Sequence, residues 1–103
     1  MSGWVAACAT NDIATESVIR FDNAGRTFAI YRDPDDAYDC TDGLCTHGKV
    51  HLAGGAVMDF EIECPKHHGV FDYRTGEAVR PPPCIDLKTY AVQVKHGRVL
   101  IDL

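Results

Sequence analysis

Most of the features that assign a small chain to a class are missing from this one. No apolar run approaches the ~20 residues needed to span a bilayer, so no membrane association is expected. The opening "MSGWVAACAT" has no basic segment followed by an apolar one, so no secretory leader is expected either. Basic residues are in deficit. Ten Lys and Arg stand against fifteen Asp and Glu, a net charge of −5, and nucleic acid as a partner would need a basic patch. There is no Gly-x-Gly-x-x-Gly nucleotide loop, no internal repeat and no stretch with the period of a sizeable amphipathic helix. Aromatics are few, and the single tryptophan, Trp4, reads as packing. Five cysteines cannot all pair. Without a leader a reducing cytoplasm is expected, where thiols are free, catalytic or metal-binding.

What is present is a chain of 103 residues, read as one domain over 1–103. A domain of this size buries roughly 60–70 % of its unfolded surface, enough for one modest core and little else. The pattern is of short strands and turns. "SVIRF" (Ser17 to Phe21) and "RTFAIYR" (Arg26 to Arg32) flank "DNAG", where Gly25 can take positive φ. "DPDDAYDCTD" reads as a solvated acidic turn, or as a steering surface for a basic partner. "AVMDFEIE" (Ala56 to Glu63) alternates as one half-buried strand. "VFDYR" and "EAVR" suggest a hairpin turning at Thr75-Gly76, with Arg74 opposite Glu77. "TYAVQVK" and "RVLIDL" form a hairpin around His96-Gly97, pairing Val94 with Val99, Val92 with Ile101 and Tyr90 with Leu103. "GWVAACATNDI" holds at most a short helix or turn. Together these predict an all-β, compact antiparallel sandwich or barrel.

The chemistry concentrates in "CTHGKVHLAGGAVMDFEIECPKHHG", residues 45 to 69. Cys45 and His47 form one thiol–imidazole pair, Cys64 and His67 another, with sixteen residues between them. Glycine follows each pair, at Gly48 and Gly69, and lets backbone come close to a bulky object. The intervening residues can make two short strands joined at "AGGA", bringing the loop tips face to face. Three readings of these four residues compete. They are unrelated core thiols and surface histidines, a structural zinc site, or a sulfide-bridged pair of irons. Zinc sites usually open on cysteines two to four residues apart, whereas here each loop mixes its donors.

"CTH" at 45–47 and "CPKHHG" at 64–69 resemble the bipartite motif of the Rieske [2Fe–2S] family, and the resemblance covers nearly the whole chain. It implies a β base carrying a small cluster-binding subdomain, here about residues 43–83. Cys45 and Cys64 would hold the inner iron, and His47 and His67 the outer one. Pro81-Pro82-Pro83 would form the third, shielding loop. Two thiolates leave the oxidised cluster neutral and the reduced one at −1, so this class accepts an electron at about −150 to +300 mV against about −400 mV for four-thiolate clusters. High-potential members carry an extra cysteine in each loop and a serine near a bridging sulfide. Lys66 and Val50 occupy the comparable loop positions here, and "HHGVF" offers no hydroxyl. A midpoint in the lower part of the range is therefore expected.

The resemblance further implies a free-standing, non-catalytic, monomeric carrier. It would take electrons from an NAD(P)H-dependent flavoprotein ferredoxin reductase and deliver them to a terminal Rieske non-haem iron oxygenase acting on aromatic rings. A small subunit of another oxidoreductase, such as a nitrite reductase, and a zinc-stabilised module are the alternatives. Cys8, Cys40 and Cys84 read as small buried hydrophobes. His51 and His68 read as solvated. Lys49 and Lys66 flank the tips, and Phe71 and Tyr73 pack beneath the second loop.

Overall fold

The structure, a computed structural model, describes residues 3–66, 68–81 and 85–103. Its centre is the strand β3 (Arg26–Arg32). In this strand Phe28, Ala29, Ile30 and Tyr31 are all fully buried. Strand side chains alternate between faces, so four consecutive buried residues mean that both faces are covered. Phe28 and Ile30 join one core, with Ile13, Cys40, Val99 and Ile101. Ala29 and Tyr31 join the other, with Cys45, Leu52, Ile62, Cys64, Phe71, Tyr73 and Leu87.

The strands, in chain order, are β1 (Trp4–Ala9), β2 (Ser17–Asn23), β3, β4 (Tyr38–Asp42), β5 (Ala56–Met58), β6 (Glu61–Glu63), β7 (Val70–Asp72), β8 (Ala78–Arg80), β9 (Thr89–Tyr90), β10 (Val92–Lys95) and β11 (Arg98–Asp102). Among the described residues they make three sheets, ordered β1-β11-β10, β2-β3-β4-β9 and β5-β6-β7-β8. Every pairing is antiparallel. Among the described residues helix is confined to two 3₁₀ turns, Thr10–Asp12 and Leu52–Gly54. The expected all-β sandwich is therefore the observed class. Among the described residues no helix is long and apolar enough to cross a membrane.

Several local expectations are corrected. The N-terminal segment is chiefly strand β1, paired with β11, and only its end turns; the pairing is long-range, so no local pattern marks it. Trp4 on that strand is 43 % exposed and is not a core residue. Residues 56–63 are a hairpin, with Asp59 and Phe60 both at positive φ. The turn between the cysteine loops therefore lies there and not at "AGGA". The hairpin of β7 and β8 pairs Phe71 with Ala78. Gly76, at φ +83°, lies within a longer connection, and Arg74 bonds Asp72 rather than facing Glu77.

The C-terminal hairpin has the expected register at Val94↔Val99 and Val92↔Ile101. His96 and Gly97 are both at positive φ, as a two-residue turn requires. Tyr90 departs from expectation, leaving this sheet to pair with Cys40 of β4. The acidic turn is only partly solvated. Asp33 is 4 % exposed, and its Oδ1 accepts the N–H groups of Asp35 and Ala37. Burial, together with the charge of Asp33, pushes the Asp39 carboxyl up to about 6.

Candidate metal centre

The two cysteine loops have one backbone design, repeated at an offset of 19 positions. In the first, the Cys45 N–H donates to the Val50 carbonyl at 2.9 Å, and the Lys49 N–H donates to the Cys45 carbonyl at 3.2 Å. In the second, the Cys64 N–H donates to the Gly69 carbonyl at 2.7 Å, and the His68 N–H donates to the Cys64 carbonyl at 3.1 Å. Lys49 and His68, at matching places, are both left-handed, with φ of 52° and 59°. Each loop closes on an antiparallel pair one residue outside it, Leu44↔His51 and Glu63↔Val70. Left-handed backbone costs a non-glycine residue roughly 1–2 kcal/mol. Its recurrence at matching positions marks a shape imposed by the whole loop rather than a local accident.

This design carries both sulfurs inward. Cys45 is 3 % and Cys64 1 % exposed, and both belong to the core that includes Phe71 and Tyr73. The two thiols share one core, near enough that Cys64 raises the Cys45 thiol. Burial above all pushes the Cys45 thiol up, and so does its neighbour Cys64. The backbone N–H groups of His47 and Gly48, which point at its sulfur, pull it down. Backbone donors aimed at a sulfur suit a thiolate, yet two adjacent thiolates in an apolar core would repel one another without a cation. A soft metal resolves that conflict. On this chemistry the thiol pair fits an iron–sulfur group.

His47 lies at the exposed tip of the first loop. The matching position in the second loop is Lys66, so the histidines at +2 and +3 from their cysteines are not equivalent in the repeat. His67, Pro82, Pro83 and Cys84 fall outside the described residues, and with them the second histidine and most of the proline loop. Among the described residues no three His, Cys, Asp or Glu side chains converge on one metal position. Cys40 is buried as expected, with its thiol pushed up to about 12 chiefly by burial. Cys8 is half-buried, and Phe71 and Tyr73 lie beneath the loops as expected.

His51 is not a solvated side chain. Its Nδ1 accepts the Ala53 N–H at 3.0 Å, which leaves the ring proton on Nε2. Nε2 then donates to the Thr27 hydroxyl at 2.9 Å, and that hydroxyl donates to Asp22. Gly43 makes room for the ring, because a Cβ there would stand 2.5 Å from Nε2. Burial holds the imidazole below its usual range, Arg20 adds to this, and Asp22 opposes it. A second feature absent from the sequence reading is Arg80. Its guanidinium bonds Glu63 at 2.7 Å and the His68 carbonyl at 2.9 and 3.2 Å. Both residues lie outside the motif, which is why the motif does not reveal them.

Residues 3–91 match the Rieske [2Fe-2S] domain family. The chain is 40 % identical over 100 residues to the ferredoxin component of the naphthalene 1,2-dioxygenase system of Pseudomonas putida, covering 97 % of this chain and 95 % of that one. It superposes on the Sphingomonas yanoikuyae B1 ferredoxin with a TM-score of 0.91 at 33 % identity, covering 98 % and 99 % of the two chains. It also superposes on a chain from the complex of reduced oxygenase and oxidized ferredoxin in carbazole 1,9a-dioxygenase. The TM-score there is 0.90 at 32 % identity, with 96 % and 92 % covered.

Proposed function

This chain belongs to the Rieske [2Fe–2S] family as a non-catalytic ferredoxin carrying one [2Fe–2S] cluster, and from that premise we propose which residues hold the cluster and which partners it serves. Cys45 and Cys64 hold the inner iron, and His47 and His67 the outer one, within a cluster-binding unit of about residues 43–83. When bound, the cluster takes up and returns one electron. The observation that carries the assignment is the repeated loop: two turns closed by matching backbone hydrogen bonds bury both cysteine sulfurs in one core and leave His47 exposed at a tip.

The chain's own residues divide the remaining work. The N–H groups of His47 and Gly48 point at the Cys45 sulfur and favour its thiolate, against the burial that pushes the thiol up. Leu52, Ile62, Phe71 and Tyr73 keep water from the sulfur side. Leu44 and Ile85 are 41 % and 64 % exposed, and the Thr46 hydroxyl donates to the Ile85 carbonyl at 2.7 Å. Apolar surface therefore lies beside the first loop, as suits a brief, partly desolvated encounter.

The partners we assign are an NAD(P)H-dependent flavoprotein reductase and a terminal Rieske oxygenase acting on an aromatic ring. The chain would act as a monomer in the cytoplasm. The carbazole complex, in which a similar ferredoxin is seen with an oxygenase, supports this reading, and so do the dioxygenase systems named for the relatives. The test is a reconstitution. With NADH and a ferredoxin reductase the visible absorption of the protein should bleach, and an oxygenase of the same class should restore it. Failure to bleach with several such reductases would count against the assignment.

A further inference from the structure

The two cluster loops share a backbone but differ in how they are fastened. In the second, Arg80 on the edge strand β8 reaches over β7 and holds both flanks of the motif at once. Its Nη2 donates to Glu63 Oε2 at 2.7 Å and to the His68 carbonyl at 2.9 Å, and its Nε donates to the same carbonyl at 3.2 Å. Glu63 is the residue before Cys64, and His68 is the residue after His67. His68 is also the left-handed residue of the loop. At the matching place before Cys45 the first loop has Leu44, which has no charge to offer.

We propose that Arg80 is a positioning residue for the cluster: with Glu63 it forms a paired-charge clamp that fixes the second loop and sets the electrostatic background against which the cluster accepts its electron. The inference rests on the ligand assignment above. Stability is a poor explanation for the clamp. The Arg80 and Glu63 side chains are 55 % and 37 % exposed, and ion pairs in such positions contribute roughly 0–1 kcal/mol. What the geometry supplies instead is direction. A planar guanidinium with two N–H groups on one carbonyl fixes the orientation of that peptide, the His68–Gly69 peptide, which begins one residue after the proposed histidine ligand. The clamp also brings no net charge to the rim. Removing one partner leaves the other's charge near a group that becomes more negative on reduction, and the sign of the effect follows from which charge remains.

The experiment is a set of midpoint titrations on the cluster-loaded protein for Arg80→Gln, Arg80→Lys, Glu63→Gln and the double variant Arg80→Gln/Glu63→Gln. In Arg80→Gln the Glu63 carboxylate loses its guanidinium and keeps the His68 imidazole beside it, with Nδ1 at 3.7 Å, and the reduced-to-oxidised ratio at fixed potential should fall about threefold, which is about 30 mV for one electron. In Glu63→Gln the guanidinium is unopposed, and the ratio should rise by a similar factor. The double variant should return close to the parent, and both single shifts should shrink at high salt. Arg80→Lys keeps the charge without the fork, so its midpoint should stay near the parent while its cluster is lost faster on incubation. If Arg80→Gln does not hold its cluster, the test passes to Glu63→Gln, whose reduced-to-oxidised ratio should rise while that of Arg80→Lys stays near the parent; an unmoved or lowered ratio in Glu63→Gln would overturn the proposal.

A merely structural clamp would give shifts of one sign or none. Unmoved midpoints in variants with an intact Rieske-type spectrum would overturn the role of Arg80 alone. Absence of that spectrum in the parent protein would overturn the ligand assignment instead.

Discussion

Tyr31 and Tyr73 lie face to face, with ring centroids 4.4 Å apart and planes inclined by only 3°. Tyr31 comes from β3 of the central sheet, and Tyr73 follows β7 directly after the second loop. Both are essentially fully buried in the core that contains Cys45 and Cys64. The stack is thus the joint by which the central sheet carries the cluster loops. The rings differ at their polar ends. The Tyr31 hydroxyl meets the Thr41 hydroxyl at 2.8 Å, whereas the Tyr73 hydroxyl is buried with no partner among the described residues.

That difference predicts opposite outcomes for two substitutions of Tyr73. Truncation to alanine removes a fully buried ring and its stacking, and should cost roughly 3–5 kcal/mol. Tyr73→Phe keeps the ring and deletes an unpaired hydroxyl. It should leave stability within about 0.5 kcal/mol of the parent or raise it. Chemical denaturation of the two variants checks both, and a large loss in Tyr73→Phe would mean that the hydroxyl has a partner.

His51 gives a pH dependence with a definite sign. Its Nδ1 must be unprotonated to accept the Ala53 N–H, so the fold favours the neutral ring and holds its pKa below the usual value. The stability this confers is fully present above the unfolded value of about 6.5. It is lost as pH falls through the lower, folded value. His51 also closes the first loop opposite Leu44, so retention of the cluster should weaken over the same window. His51→Asn keeps an acceptor for Ala53 and cannot titrate. Melting temperatures of parent and variant between about pH 8 and pH 5 should converge toward the acid end, and parallel curves would exclude His51 as the group responsible.

A midpoint potential in the lower part of the Rieske range follows from the second loop, which offers neither a spare cysteine nor a hydroxyl in "HHGVF". Fewer hydrogen bonds to the cluster sulfurs stabilise the added electron less. Protein-film voltammetry should place the midpoint below about +100 mV, inside the range of about −150 to +300 mV. A higher value would require donors that these loops do not display.

How much of this was legible beforehand depended on how local the cause was. The C-terminal hairpin could be read residue by residue because alternation and a His-Gly turn fix its register at Val94↔Val99. Its last expected pair was not readable, since Tyr90 is drawn away by Cys40, fifty positions distant in the chain. Strand β1 was invisible for the same reason, its partner being the far end of the chain. The break at Asp59-Phe60 defeated the alternation rule. Two non-glycine residues adopt positive φ there, and Phe60 still packs on the core while Arg74 lies 4.1 Å above its ring. At the proposed site, the motif singled out Cys45, Cys64 and His47, which the fold places on the two loops, and His67, which lies outside the described residues. It said nothing of the support given by His51, which closes the first loop opposite Leu44, or by Arg80 and Tyr31, which act from neighbouring strands.

Pulsed electron paramagnetic resonance of the reduced protein tests the central assignment most directly. Two imidazole ligands should give two distinct nitrogen couplings to the cluster spin. In His47→Cys one of them should vanish while the midpoint falls, as a thiolate replaces a neutral donor. A reduced cluster with no nitrogen coupling, or a spectrum and midpoint unchanged by His47→Cys, would contradict the account.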